Sequence, residues 1–422
     1  MEESKVTRKK VLVSAYACNP SGSLALHPGE DLTGWRFVEQ ISRFHDVWVI
    51  THEYNREGIR TSFGGREGDG VHFHFLKLPR PLGGLYRVEF GQRIYYYLWQ
   101  IAALAAARRL HQRIGFDLAH HVTFGNDWIP SYIGAFLPVA FVHGPIGGGQ
   151  LTPRPLLREY TLGGRLSEWG RTAAQWVGRR DPVRRLALKK AKAILVCNRE
   201  TLARIPGGCR GKVVEFPVNG IACEDLGPAA MVKTGDGKFR VFMAGRFHRL
   251  KGFGLGLRAF ATFARKFPGA EMTVVGSGPE EARLRRIIED AGIGSRVTMK
   301  SWMPRTELLT AMGAADVFLF PSFRDGGGAV VVEAMAASKP VICLDSGGPG
   351  FHVQPGWGFK IPPGRPEAVV AGLARALKIL ARDRDLLRSL GRGARERAED
   401  YYLWDRHGER LQGIYRRAWN DD

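Results

Sequence analysis

Cysteine is scarce in this chain and shows no pairing pattern. Five stand among 422 residues (Cys18, Cys197, Cys209, Cys223 and Cys343), an odd number with no Cys-x-x-Cys spacing. That argues against a disulfide framework or a cysteine-rich zinc site and fits reduced thiols. Nowhere do eighteen apolar residues run together, so no membrane-spanning helix is expected. The apolar run before Cys18-Asn19-Pro20 has only strand length, too short for a signal peptide. Zinc fingers and aromatic RNA-binding platforms are missing too, and nucleic acid is not an expected partner. The expected location is the cytoplasm.

What the chain has in excess is positive charge. The net charge is +21, and residues 151–200 hold twelve Lys/Arg against four Asp/Glu, with the pairs Arg179-Arg180, Arg184-Arg185 and Lys189-Lys190. Such a surface favours acidic partners, either nucleotide phosphates or anionic lipid headgroups. Peripheral contact with the inner face of the plasma membrane is the sharper reading, and a merely solvated basic face is the plain one. At this length the chain suggests two domains of roughly 200 residues each. With 44% hydrophobic and 24% charged residues it is globular, not disordered.

Strands and helices alternate along the first half. Lys9 to Ala17, Asp46 to Thr51 and Val71 to Leu76 read as strands, with a helix from about Leu32 to Phe44. Gln92 to Arg113 has the length and wide apolar face of a helix packed on a sheet; insertion into a membrane interface is the rival reading. Residues 165–190 read as one amphipathic helix with Trp169, Trp176 and Leu186 at apolar positions. Strands at 193–198 and Val213 to Phe216 close this half, and the Gly-rich stretch Gly227 to Lys238 is a linker. The alternation predicts an α/β parallel sheet whose ligands sit at the carboxyl ends of the strands. The loops at 19–31, at Phe124-Gly125-Asn126-Asp127 and from His143 to Gly149 lie there.

The second half is organised around Pro321 to Ala337, which reads PSFRDGGGAVVVEAMAA. The apolar run Val317 to Phe320 before it is a buried strand, and a helix begins at Ala329 after Gly326, Gly327 and Gly328. A strand, a Gly-rich turn and a helix start make an anion site. Backbone N–H groups there lack intrahelical partners, and glycines let a phosphate approach closely. Asp325 and Glu333 flank the turn, eight positions apart, so both can face one ligand.

This acid-x7-acid pattern, followed by Glu333-Ala334-Met335-Ala336 and Lys339-Pro340-Val341, resembles the family-4 (group 1) retaining glycosyltransferases of the GT-B fold. Arg246 and Lys251 after the strand Arg240 to Gly245, the Gly276-Ser277-Gly278-Pro279 turn and the Asp345-Ser346-Gly347-Gly348 turn follow in the family's order. The resemblance is dense over 241–350 and fainter over 10–222. It implies two Rossmann-like domains facing each other across a cleft. Residues 1–222 would form the acceptor-side domain and 223–401 the nucleotide-sugar domain. The terminal helix, 402–422, would cross back to the first domain, with Trp404 at the crossover.

The resemblance also implies roles. Arg246 and Lys251 would hold the donor diphosphate, Glu333 the nucleotide ribose and Asp325 a donor-sugar hydroxyl. His143 would face the reacting centre. Gly22, Gly245, Gly276, Trp302, Met303, Leu308, Gly326, Gly327, Gly328, Ala329 and Val330 would line the donor. The implied activity is transfer of a sugar from a nucleotide diphosphate-sugar to an acceptor hydroxyl with retention, in cell-surface polysaccharide or glycolipid synthesis. The acceptor would be a glycan or lipid-linked. No cofactor or metal is implied, since a guanidinium fork, a lysine charge and a helix start can neutralise the leaving diphosphate.

Three departures from the family pattern stand out. Its first acid is normally Glu, and Asp325 is one methylene shorter. Ser338 replaces the usual glycine before Lys339, and Leu24-Ala25-Leu26-His27 alters the first loop. Two rival readings share the fold: a sugar-nucleotide epimerase, and a non-catalytic nucleotide-sugar-binding subunit. A third, nucleic-acid binding, rests on charge alone.

Overall fold

Alternate residues along the strands of this protein feed different cores, as strands covered on both faces must. In the strand Val317–Phe320, Val317 and Leu319 enter one apolar cluster while Phe318 and Phe320 enter another. The computed structural model describes residues 8–20, 28–62, 70–79, 89–226 and 237–420. Within them are two parallel sheets. The first contains β1 (Lys10–Ser14), β2 (Asp46–His52), β3 (Val71–Leu76), β4 (Leu118–His121), β5 (Ala140–Ile146), β6 (Ala193–Val196) and β7 (Val213–Glu215). Their order is β3-β2-β1-β4-β5-β6-β7. The second contains β8 (Phe239–Ala244), β9 (Ala270–Val275), β10 (Val297–Lys300), β11 (Val317–Phe320), β12 (Val341–Leu344) and β13 (Gly358–Ile361). Its order is β10-β9-β8-β11-β12-β13. Each order reverses direction once, between β1 and β4 and between β8 and β11. Such a switch point opens a crevice at the strands' carboxyl ends.

The long helix Glu89–Ile114 is a core helix, as its pattern predicts. Tyr95, Tyr96, Trp99, Ala103 and Ala107 are buried against the first sheet at helical spacing. The single helix expected over 165–190 is instead two, Leu162–Gly178 and Pro182–Lys190. Asp181 makes the break: its carboxylate accepts from the N–H of Val183 at 2.7 Å and of Arg184 at 3.2 Å, and Pro182 takes the first helical position. The helix Leu162–Gly178 is built inside out. Its polar face turns inward, where Gln175 donates to the Gly148 carbonyl, Arg171 to the Gln150 carbonyl, and Glu168 pairs with Arg324 at 3.1 Å. Leu162, Leu166, Trp169, Trp176 and Val177 face outward and are exposed.

Two crossings join the domains side by side. Ile221 donates to the Tyr402 carbonyl at 2.7 Å, and Trp404 donates to the Ile221 carbonyl at 3.1 Å. Beyond Tyr402 the helix Trp404–Asn420 returns to the first domain. There Trp404 meets Phe37, Asp405 pairs with Arg43, and the Tyr415 hydroxyl bonds His120. A third connection is the turn Arg154–Glu159, whose Leu156 is fully buried in the second domain's core and whose Glu159 pairs with Arg258 and Arg283. Ser338 takes φ 60°, a left-handed conformation that suits glycine and costs other residues on the order of 1 kcal/mol. No described helix is long and apolar enough to cross a membrane.

Candidate active site

The loops after β8 and β11 meet at the second sheet's switch point. After β8 come Gly245, Arg246, Phe247 and His248, then the turn Arg249–Lys251 closed by Gly252 at φ 70°. A Cβ on Gly252 would lie 1.9 Å from the Pro321 carbonyl oxygen, so only glycine lets the two loops touch. That contact brings Lys251 to the Gly-rich loop. Its ammonium donates to one oxygen of Asp325, and both side chains are largely buried.

The other Asp325 oxygen accepts from the N–H of Gly327 at 3.2 Å and of Gly328 at 2.8 Å. Burial alone would raise the Asp325 carboxyl, but the Lys251 charge and the bonds from Lys251, Gly328 and Gly327 outweigh it and hold it below the ordinary aspartate value. Gly328, at φ 61°, starts the helix Ala329–Ala336, which has no side-chain cap. Lys251, Asp325, Gly327 and Gly328 are thus one bonded group, with Ala329 and Val330 in the helix's first turn behind it. Arg246, close by in the chain, is exposed; its carbonyl accepts from the His248 N–H at 2.8 Å, while its guanidinium makes no hydrogen bond or ion pair among the described residues.

The other residues expected at the site lie outside this bonded group. Glu333 pairs at 2.8 Å with Arg305, which also holds Asp225 at 2.7 Å. Met303 and Leu308 pack partly buried against the core behind the helix, and Trp302 is 75% exposed. Gly245 and Gly276 take φ 146° and 151° where their strands end. His143 is buried in β5, its ring between His121 and Phe141 and its Nδ1 without a hydrogen-bond partner. Burial, then the charges of His121, Arg184 and His120, push it well below the ordinary histidine value. Gly22 lies outside the described residues, as do Leu24 to His27.

Residues that sequence reasoning passed over complete the loop's surroundings. Asn198, just past β6, donates to the Gly326 carbonyl at 3.3 Å. His352 donates to the Gly327 carbonyl at 2.6 Å and meets the Tyr402 hydroxyl at 2.8 Å. Gln150 and Asn219 close over the glycines: a Cβ on Gly326 would meet Gln150 at 3.1 Å, and one on Gly327 would meet Asn219 at 2.4 Å. Only Asn198 left a local trace, as an Asn at a strand end capping the next short helix. The Asp-x-Asp triplet Asp383-Arg384-Asp385, a spacing known from metal sites, here starts a helix. Asp383 accepts from the Leu386 N–H at 2.8 Å, and Asp385 pairs with Arg388.

Residues 231–397 match the family described as "Glycosyl transferases group 1". That span takes in the whole second sheet, both loops of the bonded group and the Arg305–Glu333 pair. Residues 231–397 are thus similar to the group 1 glycosyl transferases. A D-inositol 3-phosphate glycosyltransferase of Paenarthrobacter aurescens is 32% identical over 185 residues, 43% of this chain and 44% of that protein. A GDP-mannose-dependent alpha-(1-6)-phosphatidylinositol monomannoside mannosyltransferase of Mycobacterium tuberculosis is 32% identical over 165 residues, 37% of this chain and 42% of that protein. The chain therefore spans less than half the length of these curated relatives. The structure of HepE from Anabaena, solved with UDP and glucose, superimposes with a TM-score of 0.58 at 15% identity, covering 97% of this chain and 100% of that one. The likeness extends beyond residues 231–397 to the first sheet. The whole chain has the GT-B fold.

Proposed function

We propose that this protein transfers a sugar from a nucleotide diphosphate-sugar to an acceptor hydroxyl, with retention at the anomeric carbon. The observation that supports it is the bonded group of Lys251, Asp325, Gly327 and Gly328 within the stretch similar to group 1. One cation and two inward N–H groups converge where the leaving diphosphate would develop charge, and exposed Arg246 can close on it from β8. Such donors, fixed in a partly buried site, stabilise developing charge without reorganising. The bond from the anomeric carbon to the diphosphate oxygen breaks as the acceptor oxygen bonds the same face. The acceptor proton passes to the leaving phosphate. Lys251, Arg246 and the loop N–H groups take the place of a metal ion in this reading.

Glu333 would hold the ribose and Asp325 a hydroxyl of the donor sugar. A lipid-linked acceptor is supported by the name of one relative, which acts on a phosphatidylinositol mannoside, whereas the other relative's name gives the soluble inositol phosphate. It is supported as well by the helix Leu162–Gly178, whose exposed apolar face lies among arginines and suits the headgroup region of an anionic membrane. We place the enzyme in the cytoplasm, peripheral on the inner face of the plasma membrane, in cell-surface polysaccharide or glycolipid synthesis. The test is calorimetry with UDP, GDP and ADP, followed by turnover with sugars of the nucleotide that binds. Binding of none of the three overturns the reading. Conversion of the donor without an acceptor points to an epimerase instead, and binding without turnover over a broad acceptor panel to a binding subunit.

A further inference from the structure

We infer that His352, held in one tautomer by Tyr402, is a positioning residue that aims the Gly328 N–H into the phosphate-binding loop. This inference rests on the donor-site reading above and adds to it a residue from outside the family pattern. A trans peptide unit is flat, with its C=O and N–H on opposite sides, so holding one end fixes the direction of the other. The Gly327 carbonyl and the Gly328 N–H belong to one such unit. His352 bonds the carbonyl at 2.6 Å, and on the opposite side the Gly328 N–H reaches Asp325 at 2.8 Å. Glycines on both sides give this unit little steric resistance to flipping, and Gly328 is already at φ 61°. A flip would turn a carbonyl toward the phosphates. The neighbouring unit is held the same way, with Asn198 on the Gly326 carbonyl and the Gly327 N–H on Asp325.

The tautomer follows from the partners. A carbonyl can only accept, so Nε2 carries the proton, and in a neutral ring Nδ1 must then accept from the Tyr402 hydroxyl. His352 and Tyr402 are each 1% exposed, and burial lowers His352 to about 4, against which the Gly327 bond and the Asp325 charge act and to which Arg397 adds. The charged and titratable groups around the ring are Asp325, Arg397, Tyr402 and His407. Tyr402 also lies where the chain crosses back to the first domain, its carbonyl bonded to Ile221. The clamp is therefore anchored at the junction of the two domains.

The test compares the full chain with His352→Phe, His352→Gln and Tyr402→Phe by two readouts: amide hydrogen exchange over residues 326–329, and calorimetry with UDP, GDP and ADP. Phe keeps the bulk and loses both bonds, whereas the Gln amide can donate to Gly327 and accept from Tyr402. The expected result is faster exchange at the loop and about tenfold weaker binding for His352→Phe, the scale of one lost hydrogen bond, with smaller losses for Tyr402→Phe and recovery in His352→Gln. Unchanged loop exchange in a folded His352→Phe overturns the inference. So does faster exchange with undiminished binding. If His352→Phe does not fold, failure of Gln to preserve the parent's exchange and affinity overturns it as well. A parent that binds none of the three nucleotides overturns the donor-site reading, and the exchange comparison then decides the clamp alone.

Discussion

Lys251 and Asp325 are bonded to each other across two loops, although the family pattern assigns one to the diphosphate and the other to the sugar. Asp325 also occupies the Gly327 and Gly328 N–H groups that a phosphate would use. The carboxylate thus stands in for the anion, and an incoming diphosphate must displace it or share its donors. Asp325→Asn keeps an acceptor for the two N–H groups and frees Lys251. Affinity for the free diphosphate is expected to rise, while turnover falls because a charged hydrogen bond worth roughly 1.5–3 kcal/mol becomes a neutral one. Calorimetry and turnover on the same variant check both. A fall in diphosphate affinity would show that the pair does not compete with the ligand.

Arg246 and Lys251 are expected to separate binding from stability. Arg246 is exposed, so Arg246→Ala should leave the melting temperature in place and weaken diphosphate binding by more than about 1 kcal/mol. Lys251→Ala should weaken binding too and also destabilise the fold by about 1–3 kcal/mol, because it leaves a mostly buried carboxylate without its cation. Thermal melts beside calorimetry read the two effects. Equal melting losses in both variants would contradict the burial difference.

Glu333 and Arg305 test the ribose assignment. A carboxylate that holds the ribose matters only to a ligand that has one. Glu333→Gln is expected to weaken nucleoside diphosphate binding by about tenfold while leaving inorganic pyrophosphate unchanged. If pyrophosphate affinity drops equally, Glu333 acts on the loop and not on the sugar.

Buried histidines set an acid limit on the fold. Burial is the leading cause in each case, lowering His120 to about 3, His121 to about 4, His352 to about 4 and His407 to about 3 from an ordinary 6.5. Below 6.5 the unfolded chain takes up protons that these native histidines refuse, so their contribution to stability falls as pH drops from 6.5 toward 4 and is constant above 6.5. Melting temperature measured across that window should decline steadily. His407→Gln should flatten the decline, since the His407 ring in the native state lies against Trp404 and Phe216 and is fully buried.

Local features of this chain were legible in its sequence, and long-range ones were not. The strand, three glycines and helix start at 317–336 read directly, because hydrophobic run, glycine and helix propensity are all neighbours in sequence. The break at Asp181-Pro182 was written there as well, as a capping acid followed by a proline, but a continuous amphipathic pattern hid it. The partners of the loop carbonyls were not legible. Asn198 lies 128 residues from Gly326 and His352 lies 25 from Gly327, and nothing in either residue's surroundings marks the bond. Nor could spacing show that Lys251 and Asp325, 74 residues apart, would neutralise each other.

The helix Leu162–Gly178 carries the last prediction. Its polar residues Glu168, Arg171 and Gln175 face the protein, and Leu162, Leu166 and Trp169 stand 73–76% exposed on the other side, with Trp176 and Val177 at 58% and 62%. An apolar stripe turned outward has no intramolecular reason to be there. Arginines border it, and the Arg180 guanidinium lies 3.5 Å over the Trp176 ring, a pairing suited to the level of lipid headgroups. Vesicles with anionic headgroups should bind the protein in a salt-sensitive way, since screening weakens the arginine contribution while insertion of the exposed tryptophans into the bilayer surface is unaffected. Replacing Leu166, Trp169 and Trp176 together by Ser should abolish vesicle binding and leave the melting temperature unchanged, because these side chains are mostly exposed. Nucleotide affinity should also hold, unless membrane contact reaches the Gly-rich loop through Glu168 and Arg324, the residue just before Asp325. Sedimentation with phosphatidylglycerol and phosphatidylcholine vesicles at low and high salt measures it. Binding of the triple variant equal to the parent's would remove the helix from the interface, and indifference of the parent to both vesicles at low salt would make the acceptor a soluble one.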